Sequence, residues 1–152
     1  MTTTAADTRA LQARLLEEIP LARHMEIRVL SSDRRSLLLS APLAANSNHK
    51  GTAFGGSLYS VAVLAGWGLL TLELEARGID AQIVIQECQV DYLLPVSGDF
   101  TARATAPDAA VLERCARTLA RYGRARIDVA VAIEHAGSEA VRLRATYVVV
   151  RS

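Results

Sequence analysis

Between Gly51 and Leu72 the chain runs for 22 positions without a single charged residue. Gly51, Gly55 and Gly56 at the start of this run suit a loop, so the pattern predicts a helix from about Ser57 to about Ala76, with Ser57 as its N-cap. The stretch from Leu58 to Leu70 is apolar on every face, and a helix of that kind must be buried all round, in lipid or in protein. Protein is favoured, because the run lacks basic flanks and the segments around it alternate apolar and polar residues as half-buried strands do.

Val141-Arg142-Leu143-Arg144-Ala145-Thr146-Tyr147 shows that alternation most clearly. Met25 to Leu30 and Ser36 to Leu43, on either side of the polar turn Ser31-Ser32-Asp33-Arg34-Arg35, read as a hairpin. Ala81 to Tyr92, Phe100 to Ala106 and Arg124 to His135 read as further strands, with Gly137-Ser138 turning the chain into the last one. Ala109 to Tyr122 reads as a helix or helical turn, and Asp7 to Ile19 as an amphipathic surface helix stopped by Pro20. About six strands with one wholly apolar helix inserted after the second call for a curved antiparallel sheet wrapped around that helix. This is an α+β architecture, the hotdog fold. At 152 residues the chain is expected to form one domain, 1–152, with residues 1–20 as an N-terminal segment bearing the surface helix.

Composition narrows the function. Lys+Arg 17 against Asp+Glu 16 leaves a formal charge of +1, with the basic residues spread along the chain, which argues against nucleic-acid binding. Half of the residues are apolar (51%), which excludes disorder as the dominant state. Cys88 and Cys115 make neither a disulfide framework nor a metal-ligand spacing, so no metal is expected and a reducing cytoplasm suits the chain. Met1 to Asp7 is small and polar, without the pattern of a secretory signal.

The unusual chemistry lies in Asn46-Ser47-Asn48-His49-Lys50-Gly51-Thr52-Ala53-Phe54-Gly55-Gly56-Ser57-Leu58-Tyr59, where two amides, an imidazole, an ammonium and three glycines precede a helix start. Backbone N–H groups of Gly55, Gly56 and Ser57 would point outward at the positive end of the helix dipole, where a carbonyl oxygen gaining charge is stabilised. It is not a phosphate-cradling loop, since Lys50 precedes the glycines rather than following them. The plainer alternative is a tight turn into a crowded core, with the asparagines bonding the loop backbone.

Pro42-Leu43, Asn46, Asn48, Gly51-Thr52-Ala53-Phe54-Gly55-Gly56-Ser57, Gly66-Trp67 and Tyr92-Leu93-Leu94-Pro95 together resemble the YiiD C-terminal-like thioesterase family of the hotdog superfamily, over about Leu15 to Val150. The resemblance implies a homo-oligomer built on a hotdog dimer, either a homodimer or a dimer of dimers. It also implies acyl-thioester substrates carried by coenzyme A or acyl carrier protein, with no cofactor beyond the coenzyme A of the substrate. The wider phenylacetate-type thioesterases carry Asn-x-x-Gly-x-x-His-Gly-Gly and then an acid on the helix. Asn48, Gly51, Gly55 and Gly56 match that pattern, whereas Phe54 stands at the His position and Ala62 at the acid position.

The expected reaction is acyl-thioester hydrolysis. Asn48 positions water or carbonyl, Gly56 and Ser57 hold the oxyanion, and Glu87 or Asp91, which share one face of a strand by alternation and which the resemblance places near the helix N-terminus of a partner copy, removes a proton. Asn46, His49, Lys50, Gly55 and Tyr59 are expected to bind substrate, with His49 or Lys50 meeting a carrier phosphate. Cys88 is read as a buried, inert thiol and Trp67 as core. The alternatives are a non-catalytic acyl-CoA or lipid binder, motivated by Ala62, and an enoyl-thioester hydratase using His49 with Glu87.

Overall fold

A computed structural model describes residues 4–33 and 35–152; Met1 to Thr3 of the N-terminal segment and Arg34 of the expected turn lie outside the described residues. The elements in chain order are α1 (Ala5–Glu18), α2 (Pro20–His24), β1 (Arg28–Ser32), β2 (Ser36–Ala41), α3 (Gly55–Ala76), β3 (Ala81–Tyr92), β4 (Phe100–Thr105), α4 (Ala109–Tyr122), β5 (Arg124–His135) and β6 (Ser138–Arg151). The strands form a single six-stranded sheet in the order β1-β2-β4-β5-β6-β3, antiparallel throughout. Its concave face closes on α3, which touches β2, β3, β4, β5 and β6, so the expected wrapped-helix arrangement is present. The α3 run is long and apolar enough to cross a membrane, yet 56% of its most apolar window is buried inside the fold.

Alternation decides which side chains reach α3. Leu37, Leu39 and Ala41 of β2, Phe100, Ala102 and Ala104 of β4, and Ala125 to Ile133 at every second residue of β5 are buried, while their neighbours point outward. The helix answers with Val61, Ala62, Ala65, Leu69 and Leu70, all within 1% of full burial. Two glycines permit the close approach. A methyl at Gly66 would collide with the Tyr147 hydroxyl, which donates to Val63 O at 2.6 Å, and one at Gly68 would lie 2.7 Å from Leu37.

The N-terminal helix is more than a surface element. Leu11 and Leu15 are buried, and the Gln12 side chain clamps the free edge of β1 by donating to Ile27 O at 3.1 Å and accepting from Val29 N–H. Arg14 lies over the Trp67 ring at 5.5 Å and pairs with Glu75 at 2.7 Å, tying α1 to α3. Thr4 and Asp7 form a capping box, so the helix begins at Ala5 rather than Asp7.

Five expected boundaries are corrected. Pro20 does not merely stop α1; its fixed φ and missing N–H suit the first position of α2, which takes up the residues before Met25. The first strand therefore begins at Arg28, after Glu26 at φ 55°, and the second ends at Ala41 because Leu43 N–H turns to Asp99. The central helix begins at Gly55 with Phe54 at the N-cap, so Ser57 is not the cap. The last hairpin turns at Ala136-Gly137, with φ of 51° and 77°, rather than at Gly137-Ser138.

Candidate active site

The loop between β2 and α3 is a small, tightly bonded unit. Asn48 N–H donates to Thr52 O at 2.7 Å, Gly51 N–H to Asn48 O at 3.1 Å, and Phe54 N–H to Asn46 O at 2.7 Å. Gly51, at φ +77°, supplies the left-handed residue that this turn needs. Ala53 N–H donates to Val96 O at 2.8 Å and Leu43 N–H to Asp99 Oδ1 at 2.8 Å, so the stretch after β3 holds the loop from the other side.

Both asparagines bond into this architecture. Asn48 Oδ1 accepts from Lys50 N–H at 2.8 Å and Thr52 N–H at 3.2 Å, and its amide donates to the Thr52 hydroxyl at 2.8 Å. That engagement matches the loop-tying alternative rather than the positioning of water or carbonyl. Asn46 is 2% exposed and donates to Met25 O at 2.9 Å and Pro42 O at 2.8 Å, fastening the loop to the α2–β1 connection. Its Oδ1 is buried without a partner among the described residues. His49 and Lys50 stand exposed at the loop tip.

What the loop delivers is a run of free donors. Among the described residues no side chain caps α3, and Leu58 N–H, bonded to Phe54 O at 3.0 Å, is the first of the helix to be used. The N–H groups of Gly55, Gly56 and Ser57 thus have no acceptor among the described residues, at the positive pole of a 22-residue helix. A methyl at Gly56 would strike the Phe54 ring, and one at Gly55 would meet the Tyr92 ring at 3.5 Å. Two aromatic rings, both more than half exposed, therefore flank the two glycines.

The third wall comes from β3. A bulge between Ile85 and Glu87 shifts the alternation, so that Cys88, Val90 and Tyr92, paired with Ala145, Leu143 and Val141, share the face turned toward α3. Tyr92 Oη donates to Gly55 O at 2.9 Å. Burial pushes the Tyr59 phenol up, with the Cys88 thiol beside it adding to the effect. Burial also raises the Cys88 thiol, against the bond from Tyr59, and the Tyr92 phenol. Near neutral pH all three groups are protonated and can donate.

Glu87 and Asp91 share a face, as alternation implies, and it is the one turned away from α3 of their own chain. They pair across from Thr146 and Arg142 on the outward surface and are exposed. No hydrogen bond or ion pair joins His49 to Glu87 among the described residues. A groove of about 720 Å³ does open elsewhere, between α1, α2 and the β2 and β4 ends, with Gln12, Arg23, Arg28 and Phe100 in its walls. It includes none of the glycine turn. The structure thus brings together Gly55, Gly56, Ser57 and Tyr59 of the expected site. It adds Tyr92, which the parity of the strand signals only once the bulge is counted.

Comparison with known proteins follows the same lines. The family model described as "Putative thioesterase (yiiD_Cterm)" matches residues 8–151. A "putative thioesterase" from Shewanella oneidensis is similar at 28% identity and a TM-score of 0.87, over 97% of this chain and 99% of that one. A protein of unknown function from Chlorobaculum tepidum matches at 31% identity and a TM-score of 0.92, over 95% and 94% of the two chains. A thioesterase from Haemophilus influenzae, at 19% identity and a TM-score of 0.76 over 99% and 93%, shares the fold.

Proposed function

The chain belongs to the yiiD C-terminal thioesterase family, and from that premise we propose that it hydrolyses acyl thioesters carried by coenzyme A or acyl carrier protein at the glycine turn before α3. The observation that carries this reading is the pair of free N–H groups of Gly56 and Ser57 at the positive end of the buried helix. A thioester carbonyl set against them gains charge as water adds, and donors aimed at that oxygen lower the barrier without moving. The rings of Phe54, Tyr59 and Tyr92 give the acyl group an apolar surround in which those dipoles act more strongly than in water.

Asn48 serves the site by fixing the loop that ends at Phe54. The carboxylates of Glu87 and Asp91 face away from the turn of their own chain, so a proton acceptor from β3 requires a second copy of the chain. Purified protein assayed against coenzyme A and carrier-protein esters of short, medium, long and aryl acyl groups tests the proposal. Hydrolysis of at least one class above the buffer rate is expected, and none across all four removes it.

A second reading has its own support: the groups facing the turn are phenols and a thiol held protonated, with Ala62 buried where an acid would stand. A non-catalytic acyl-thioester binder would show tight binding of an intact ester with turnover no faster than buffer.

A further inference from the structure

A peptide group is shared between two residues. The Gly55 carbonyl and the Gly56 N–H belong to one such unit, and the Gly56 carbonyl and the Ser57 N–H to the next. Tyr92 Oη donates to Gly55 O at 2.9 Å. The Ser60 hydroxyl donates to Gly56 O at 2.8 Å. Each carbonyl also faces the N–H four residues on in the α-helical pattern, so both hydroxyl bonds are additional. Of the three peptides whose N–H ends are free, these two are the ones whose carbonyl ends accept a side-chain hydroxyl.

We propose that Tyr92 and Ser60 are positioning residues that polarise and orient the Gly56 and Ser57 N–H groups for a developing oxyanion. A hydrogen bond accepted at the carbonyl end of a peptide draws electron density from its nitrogen, which makes the N–H a stronger donor; chains of hydrogen bonds strengthen one another in this way. The bond also fixes the plane of the unit, and so the direction of the N–H. A serine hydroxyl bonded back to the fourth preceding carbonyl is common in helices, whereas Tyr92 reaches the turn from the far end of another element. Its ring lies over Gly55, where an added methyl would touch it at 3.5 Å. Burial keeps its hydroxyl protonated, so it donates near neutral pH.

This inference rests on the oxyanion role proposed for the turn, and two readouts separate its failure from the failure of that role. The first is the proton chemical shift of each amide in the free protein, with no substrate present. Tyr92→Phe should move the Gly56 amide proton upfield with the Ser57 amide little changed, and Ser60→Ala should do the reverse. The second is turnover of whichever ester the wild type hydrolyses. Each variant should lose about two- to eight-fold in kcat at nearly constant KM, about 10–30%, on a logarithmic scale, of the roughly 10²–10³-fold that one oxyanion donor supplies.

Both replacements remove a single oxygen, so the fold should survive, and an unchanged melting temperature checks this. Unmoved amide shifts overturn the inference whatever the activity does, and so does an unchanged kcat in a variant whose amide has moved. If the wild type hydrolyses nothing, affinity for a thioester analogue with methylene in place of sulfur takes the place of kcat. It should then fall in Tyr92→Phe, and an equal affinity overturns the inference.

Discussion

Asn46 and Asn48 lie two residues apart in one loop and do different work. Replacing Asn48 by alanine removes bonds to two backbone N–H groups and one hydroxyl at a half-buried position. The melting temperature should drop by the equivalent of about 1–3 kcal/mol, at ~1 kcal/mol per hydrogen bond, with turnover reduced only in proportion to unfolded protein. A stably folded Asn48→Ala with ~10²-fold lower kcat would restore the direct role in catalysis. Asn46→Ala should cost more, because it leaves the Met25 and Pro42 carbonyls without their donors in a buried setting, at roughly 1–3 kcal/mol each. A melting curve on the two variants ranks them. The sequence showed that this loop was rich in hydrogen-bonding groups, but an amide side chain carries no mark of its partner. Asn46 is assigned by Met25, 21 positions away, and no local pattern encodes that contact.

Elements with a strong alternation or amphipathic face were legible to the residue: Ala81–Tyr92, Ala109–Tyr122 and Arg124–His135 begin and end where the pattern does. The misses fall where capping bonds and backbone geometry override composition: at the start of α1, at Pro20 and the strand ends of the first hairpin, at the N-cap of α3 and at the last turn. That turn holds Ala136 at φ 51° beside Gly137 at 77°, the paired left-handed residues of a type I′ hairpin. Alanine pays roughly 1–2 kcal/mol in that region, so Ala136→Asn should raise the melting temperature, and a fall would show that Ala136 has a packing role. Within α3, Gly66→Ala should destabilise by about 1–3 kcal/mol, because the Tyr147 hydroxyl has to leave Val63 O to make room. Chemical denaturation measures it, and Tyr147→Phe in the same background should recover part of the loss.

The whole molecule has two sheet edges, and they are treated differently. β1 is short, bulged between Val29 and Ser31, and clamped by Gln12. β3 is 12 residues long and carries Val84 at 55% and Ile85 at 37% exposure, with Tyr92 at its end and Leu93 and Leu94 beyond it about half exposed. No proline or lysine guards that edge, which leaves it open to pairing with a second copy. Light scattering at micromolar concentration should give a dimer, and a monomer would refute it. Val84→Lys should shift the protein toward monomer, while Leu30→Lys on the β1 edge should leave it dimeric.

The strand order also governs how the chain reaches this state. Among the described residues β3 pairs with β6 alone, and β6 lies between β5 and β3, so residues 81–92 have no strand to pair with until residues 138–151 arrive. During synthesis the apolar α3 and the long β3 leave the ribosome well before the strand that completes their enclosure. Closure of the sheet is then a late, long-range event, which slows folding and leaves an aggregation-prone surface open in the interval. A nascent chain stalled before β6 should therefore bind holdase chaperones, and release them once that strand has emerged.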